Sequence, residues 1–196
     1  MRLIARNILR GVTLMTVVVM TWGLNAHADA LSFSFGEIQF VDTELDDIDV
    51  DGDGFALKLS GEFSQRIFGF AEYAEIGLDG GADLDTLEFG VGYGQELNLN
   101  TDLFGTVARV KVDVDTGPAS SDESSYALGF GIRSLLLKQR LELGARLDYR
   151  DLDDGDTRVV LSALFNMTRR WSLGLEADAG NDETTVGVGL RYYFNQ

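Results

Sequence analysis

Leu141-Glu142-Leu143-Gly144-Ala145-Arg146-Leu147-Asp148-Tyr149-Arg150 decides the fold. Every odd position is apolar or aromatic and every even one is charged or glycine. Side chains of an extended strand alternate between two faces, so this stretch is a strand with one greasy and one polar face. The pattern recurs along the chain. Phe55, Leu57, Leu59 and Phe63 alternate with Lys58, Ser60 and Glu62, and Leu87, Phe89, Val91 and Tyr93 alternate with Glu88 and Gly90, Gly92, Gly94. Tyr126, Leu128, Phe130 and Ile132 alternate with Gly129, Gly131 and Arg133, and the chain closes on Val186, Val188, Leu190, Tyr192 and Phe194 against Gly187, Gly189 and Arg191.

Such segments number about ten: residues 33–42, 54–63, 67–77, 85–95, 102–114, 125–134, 139–150, 157–166, 170–180 and 184–194. Each is near the 9–11 residues that a tilted strand needs to cross a bilayer. The odd-numbered connections (43–53, 78–84, 115–124, 151–156, 181–184) hold 17 acidic residues and no basic one. The even-numbered ones are mostly short, and with Arg170 they carry Arg66, Lys138, Arg169 and Arg170 against Glu96. Successive hairpins thus present opposite ends to two environments.

Residues 1–28 stand apart. Arg2, Arg6 and Arg10 precede the uncharged run 11–24, and Ala26-His27-Ala28 supplies the small-x-small pattern of a cleavage site, so residues 1–28 are expected to be a signal peptide and 29–196 the exported barrel domain. The whole chain of 196 residues has a net charge of −16; the three arginines of the leader leave −19 for the remainder. That remainder has no histidine and the chain has no cysteine, which excludes a serine–histidine triad, histidine-ligated metal and thiolate chemistry. The acidic balance also excludes nucleic acid as a partner, since binding it requires neutralising phosphates with Lys and Arg.

Ten amphipathic strands suit either a soluble barrel with its apolar set inside or an outer-membrane barrel with it outside. Glycine on the polar face favours the second, because a narrow lumen needs small residues beside large ones. So does the balance of polar-face charges: Glu37, Glu62, Glu72, Glu88, Glu142 and Glu176 against Lys58, Arg109, Lys111, Arg133, Arg146 and Arg191 form the expected lumen network. Phe40, Phe55, Tyr126 and Tyr149 toward the acidic loops, and Phe63, Tyr93, Phe104, Trp171, Tyr192 and Phe194 toward the turns, read as two interfacial girdles. Strands 33–42 and 67–77 place Glu37 and Glu72 on a face shared with Phe35 and Phe70, so their facing stays open.

With its leader, short turns, polar loops and final aromatic strand, the chain resembles the small bacterial outer-membrane barrels of the OmpA-transmembrane-domain and OmpX type. The resemblance implies an all-β, antiparallel, up-and-down transmembrane barrel in the outer membrane, of ten strands with eight as the alternative. It also implies that Leu190, Tyr192 and Phe194 are read by the barrel-assembly machinery. Asp47, Asp49, Asp51 and Asp53, followed by Gly54, look like half of a calcium loop. The twelfth position, Lys58 counted from Asp47, supplies no carboxylate, so only loosely held Ca²⁺ or Mg²⁺ is expected, and no other cofactor. Expected partners are lipid and lipopolysaccharide, and the expected state is a monomer. The leading function is a non-enzymatic surface barrel; a small-solute channel and an exported soluble ligand-binding barrel are the alternatives.

Overall fold

The computed structural model describes residues 31–45, 50–117, 120–151, 155–181 and 183–194, so the expected signal segment lies outside the described residues. Ten strands follow as hairpins: β1 (Phe35–Leu45), β2 (Val50–Ser64), β3 (Ile67–Leu78), β4 (Ala82–Asn98), β5 (Thr101–Asp115), β6 (Ser120–Leu136), β7 (Leu141–Arg150), β8 (Asp156–Asn166), β9 (Trp171–Ala179) and β10 (Glu183–Tyr193). Each pairs antiparallel with its chain neighbours, and β1 pairs with β10, so the sheet closes on itself without a free edge. Ten strands stand, and the eight-strand alternative falls.

Registered partners step from Glu44 on β1 through Thr184, Ala179, Val159, Leu147, Phe130, Gly105 and Tyr93 to Ile67. A rung that begins at the loop rim thus ends at the turn rim. That is the stagger of strands inclined by roughly 40° to the barrel axis.

The apolar set faces outward. Ile38, Phe89, Val91, Leu128, Phe130, Leu147, Leu161 and Val188 are exposed, and Phe40 and Leu175 are 76% and 58% accessible. A barrel that buries its polar side chains and exposes its leucines is inside out relative to a soluble one. Phe40, Tyr126 and Tyr149 border this belt toward the loops, and Phe63, Tyr93, Trp171 and Phe194 border it toward the turns. Trp171, Tyr192 and Phe194 form a contiguous run of rings, with centroids 4.8 and 5.8 Å apart. Phe104 departs from the expected girdle: it points inward, its ring centroid 6.0 Å from that of Phe33.

Strands β4 and β6 run 17 residues each, well past the 9–11 needed to cross. Residues 50–53 and 120–124, expected as loop, are strand. Their backbones keep the ladder going: Ser121 faces Val114 and Glu123 faces Val112. Alternation of hydrophobicity disappears there because the segment lies beyond the apolar belt, whereas backbone pairing needs no greasy face. At the opposite end β7 starts at Leu141 rather than 139, since Leu137, Lys138 and Gln139 have φ of 48°, 57° and 69° and close the turn.

Candidate functional site

The lumen is the only place where the described strands bring buried charge together, and it is organised in layers. At the turn end the chain entering β1 folds into the mouth. Phe33 stacks on Phe68 with centroids 4.1 Å apart and meets Phe104 edge-on. The Arg133 guanidinium lies 3.5 Å over the Phe33 ring, donates to the Ser32 carbonyl at 2.9 Å and pairs with Asp102 at 2.9 Å. The Ser34 hydroxyl accepts the Glu62 amide at 3.1 Å, tying the plug to the foot of β2.

Three inward glycines make room for these rings. A Cβ on Gly92 would collide with Phe68, one on Gly94 with Phe33, and one on Gly131 with Phe104. Close packing at normal density permits no side chain at those positions.

Above the aromatic layer the charges pair off. Arg191 reaches Glu37 at 2.6 Å and lies 4.0 Å over Phe35, while Tyr193 donates to Glu142 at 3.2 Å. Lys58 bridges Glu72, at 3.3 Å, and Glu176 on the far wall. Arg150 crosses from β7 to Glu88 on β4 at 2.9 Å, and Arg146 holds Asp148 at 2.7 Å. Near the loop rim Arg158, 5% accessible, gathers Glu183 at 2.6 Å, Asp156 at 3.3 Å and Asp178 at 3.5 Å. A cavity of about 140 Å³ remains among Phe35, Lys58, Phe70, Arg146 and Glu176. Such a space has the size of a cluster of a few waters and lies above the plug.

Of the expected network, Lys58, Glu88, Arg133, Glu142, Arg146, Glu176 and Arg191 face the lumen and are engaged there. Glu62 sits exposed at the turn-end mouth, its amide held by the Ser34 hydroxyl. Arg109 and Lys111 are corrections: both are on the outer face. Arg109 is registered between Phe89 and Tyr126, which are 51% and 60% accessible, and Lys111 stands beside exposed Leu87. The inward positions of β5 are Phe104, Thr106, Ala108 and Val110, the last fully buried. A slip of one residue exchanges the faces of a strand, and β5 carries apolar residues on both. Phe35 and Phe70, whose facing was open, share the interior with Glu37 and Glu72. Arg150, Arg158, Asp102, Asp148 and Asp178 are network members that charge counting overlooked; β7 displayed two of them in its alternation.

Asp51 and Asp53 are in β2, registered with Glu44 and Asp42, whereas Asp47 and Asp49 fall outside the described residues. Among the described residues no cluster of three or more acidic side chains is arranged to hold a metal ion. Outside the barrel, Glu75, Asp85, Asp113 and Asp122 are registered partners across four adjacent strands, a row of like charges that Tyr73 and Lys111 partly relieve: the Tyr73 hydroxyl donates to Asp85 at 3.0 Å, and Lys111 holds Asp113 at 2.8 Å.

No family model matches the chain, and no curated protein matches it. Among solved structures, the KdgM porin is similar over 81% of this chain and 99% of its own, with 13% identity and a TM-score of 0.48. The attachment invasion locus protein Ail of Yersinia pestis covers 81% and 97%, with 19% identity and a TM-score of 0.41. The translocator domain of the autotransporter NalP from Neisseria meningitidis covers 98% of both chains, with 11% identity and a TM-score of 0.47. At these scores the likeness is one of barrel outline and says nothing of activity or ligand.

Proposed function

We propose that the chain is a non-enzymatic outer-membrane barrel with a sealed lumen, acting in envelope structure or in surface contacts through its acidic loop rim. The observation that carries this reading is the plug. Phe33, Phe68 and Phe104 fill the turn-end mouth under the Arg133 guanidinium, and the layers above are closed by paired charges. Small barrels whose interiors are packed by side chains do not leave an aqueous path. The exposed belt of leucine, valine and aromatic side chains supports insertion in a bilayer, since a soluble monomer does not expose so large a contiguous apolar surface. Short turns then mark the periplasmic side and acidic loops the cell surface.

The reading includes a cleaved leader, recognition of Leu190, Tyr192 and Phe194 by the barrel-assembly machinery, and Ca²⁺ or Mg²⁺ held loosely between acidic loops and lipopolysaccharide phosphates. Two measurements test it. Fractionation should place the folded, heat-modifiable protein in the outer membrane, and recovery in the soluble periplasm would refute insertion. Planar-bilayer recording of the purified barrel should show no stable openings; steady unitary currents in the intact protein would replace this reading with the channel one.

A further inference from the structure

Among the described residues six arginines lie on strands. Five of them, Arg133, Arg146, Arg150, Arg158 and Arg191, face the lumen or its rim, buried or partly buried, and each holds a carboxylate at 2.6 to 2.9 Å. Arg109 is the sixth, and it differs in both respects. It faces outward, and its recorded contact is the Tyr126 ring, 4.8 Å from the guanidinium carbon. Among the described residues no carboxylate pairs with it. Lys111, its outward neighbour on β5, is already engaged by both oxygens of Asp113 at 2.8 Å.

Its height on the barrel gives this meaning. On β5 the outward residues run Val107, Arg109, Lys111 and Asp113; on β4 Phe89, Leu87, Asp85; on β6 Leu128, Tyr126, Ser124 and Asp122. Arg109 therefore stands at the upper edge of the apolar belt, where hydrocarbon gives way to headgroups on the acidic-loop side. A guanidinium is always ionised and presents five donors in a planar fork. At such an edge its stem lies along the apolar surface while the head reaches the polar layer, and the aromatic face fixes its orientation.

We propose that Arg109, steered by Tyr126, binds a phosphate of lipopolysaccharide at the belt's upper edge. The proposal rests on the outer-membrane reading, which sets lipopolysaccharide beside this face. A fork of donors matches phosphate oxygens, and a charge-assisted pair of this kind is about twice as strong as a neutral hydrogen bond. The row of Asp85, Asp113 and Asp122 two positions nearer the loops selects the source of that phosphate. A free anion is repelled by this row and by the acidic rim, whereas a lipid phosphate is delivered by its acyl chains to a fixed depth below it.

The test uses the full barrel folded in phosphatidylcholine vesicles, with heat-modifiable migration establishing insertion independently of lipopolysaccharide. Bound lipid A is then counted after transfer to nanodiscs, using the bisphosphorylated form, its dephosphorylated form, and phosphatidylglycerol as a second phosphate lipid. The wild type should retain bisphosphorylated lipid A. Arg109→Gln should weaken retention roughly ten- to hundredfold, Arg109→Lys and Tyr126→Leu less, and Arg140→Gln, in the opposite leaflet's turn, not at all. Inorganic phosphate should not displace the lipid. Equal retention by Arg109→Gln and the wild type, or equal retention of the two forms of lipid A, overturns the proposal. Equal retention of phosphatidylglycerol overturns the assignment to lipopolysaccharide. Failure to insert in phosphatidylcholine would instead count against the barrel reading itself.

Discussion

Removing the Phe33 ring should both destabilise the barrel and unseat its seal. The ring is 7% accessible, packed face to face on Phe68 and capped by Arg133 at 3.5 Å. Truncating a buried phenylalanine to alanine costs about 3–5 kcal/mol, a range that already contains the stacking and cation–π contributions. The lower end applies here. The vacated space joins a cavity of about 140 Å³ that Phe33 itself lines, so water enters instead of a void persisting. A loss of about 3 kcal/mol with a slope of 1–3 kcal/mol per molar moves a urea midpoint by roughly 1–3 M. Unfolding of Phe33→Ala in lipid vesicles, followed by tryptophan fluorescence, measures the first effect. Planar-bilayer recording measures the second: the variant should flicker open where the parent is silent, and Phe33→Leu should fall between them. If Phe33→Ala unfolds within about 0.5 kcal/mol of the parent, the entering chain is not the seal that the geometry describes.

Gly92→Val should overpack the lumen against Phe68 and cost about 1–3 kcal/mol, and Phe68→Ala placed in the same chain should recover part of it, as a double-mutant cycle in urea would show. Arg158→Leu leaves Asp156, Asp178 and Glu183 facing one another without a cation and should lose about 3 kcal/mol; adding Asp178→Asn should return some of that, and a simple sum of the two losses would contradict the shared site. Replacing both Glu88 and Arg150 by leucine and methionine should change stability far less than Glu88→Leu alone, because the single change strands a buried guanidinium; equal losses would mean that the pair is not desolvated. Tyr192→Ala with Phe194→Ala should lower the amount of barrel assembled in cells while leaving refolding from urea into detergent nearly unchanged, and a parallel fall in both would make these rings structural only.

Strand number and closure were legible because glycine and charge occupy one parity over long stretches, as in residues 141–150. The facing of β5 was not. Its sequence, Leu103-Phe104-Gly105-Thr106-Val107-Ala108-Arg109-Val110-Lys111-Val112, has apolar residues on both parities, so the charges alone suggested that Arg109 and Lys111 point inward. What decides the matter is registration: Phe89 and Tyr126, outward on both flanking strands, share a rung with Arg109. That information is cross-strand and absent from β5 itself. Strand β8 hid Arg158 for a related reason, since Val160 and Leu164 sit inside beside it and blur the alternation. Phe104 was misassigned to a girdle, although Gly131, which leaves room for it from β6, lies in a glycine alternation whose meaning, room for large neighbours, was read correctly.

The buried ion pairs explain shape better than they explain stability. A desolvated pair contributes little net free energy compared with an apolar replacement of equal volume. The barrel's hydrogen-bond ladders, in turn, connect each strand only to its two neighbours. Lys58–Glu176 joins β2 to β9, and Glu88–Arg150 joins β4 to β7, so these contacts span the lumen between strands that share no ladder. A slip of one residue on any of the four would carry its charge from the interior to the apolar belt, stranding the partner without a counter-ion. Elsewhere the interior walls are aliphatic, with Val41, Ala56 and Ile76 on one side and Ala108, Val110 and Ala127 on another, and apolar contacts of that kind tolerate such slippage. The cross-lumen pairs therefore penalise wrong registers that those walls would accept, which is a role in selecting one barrel rather than in making it strong.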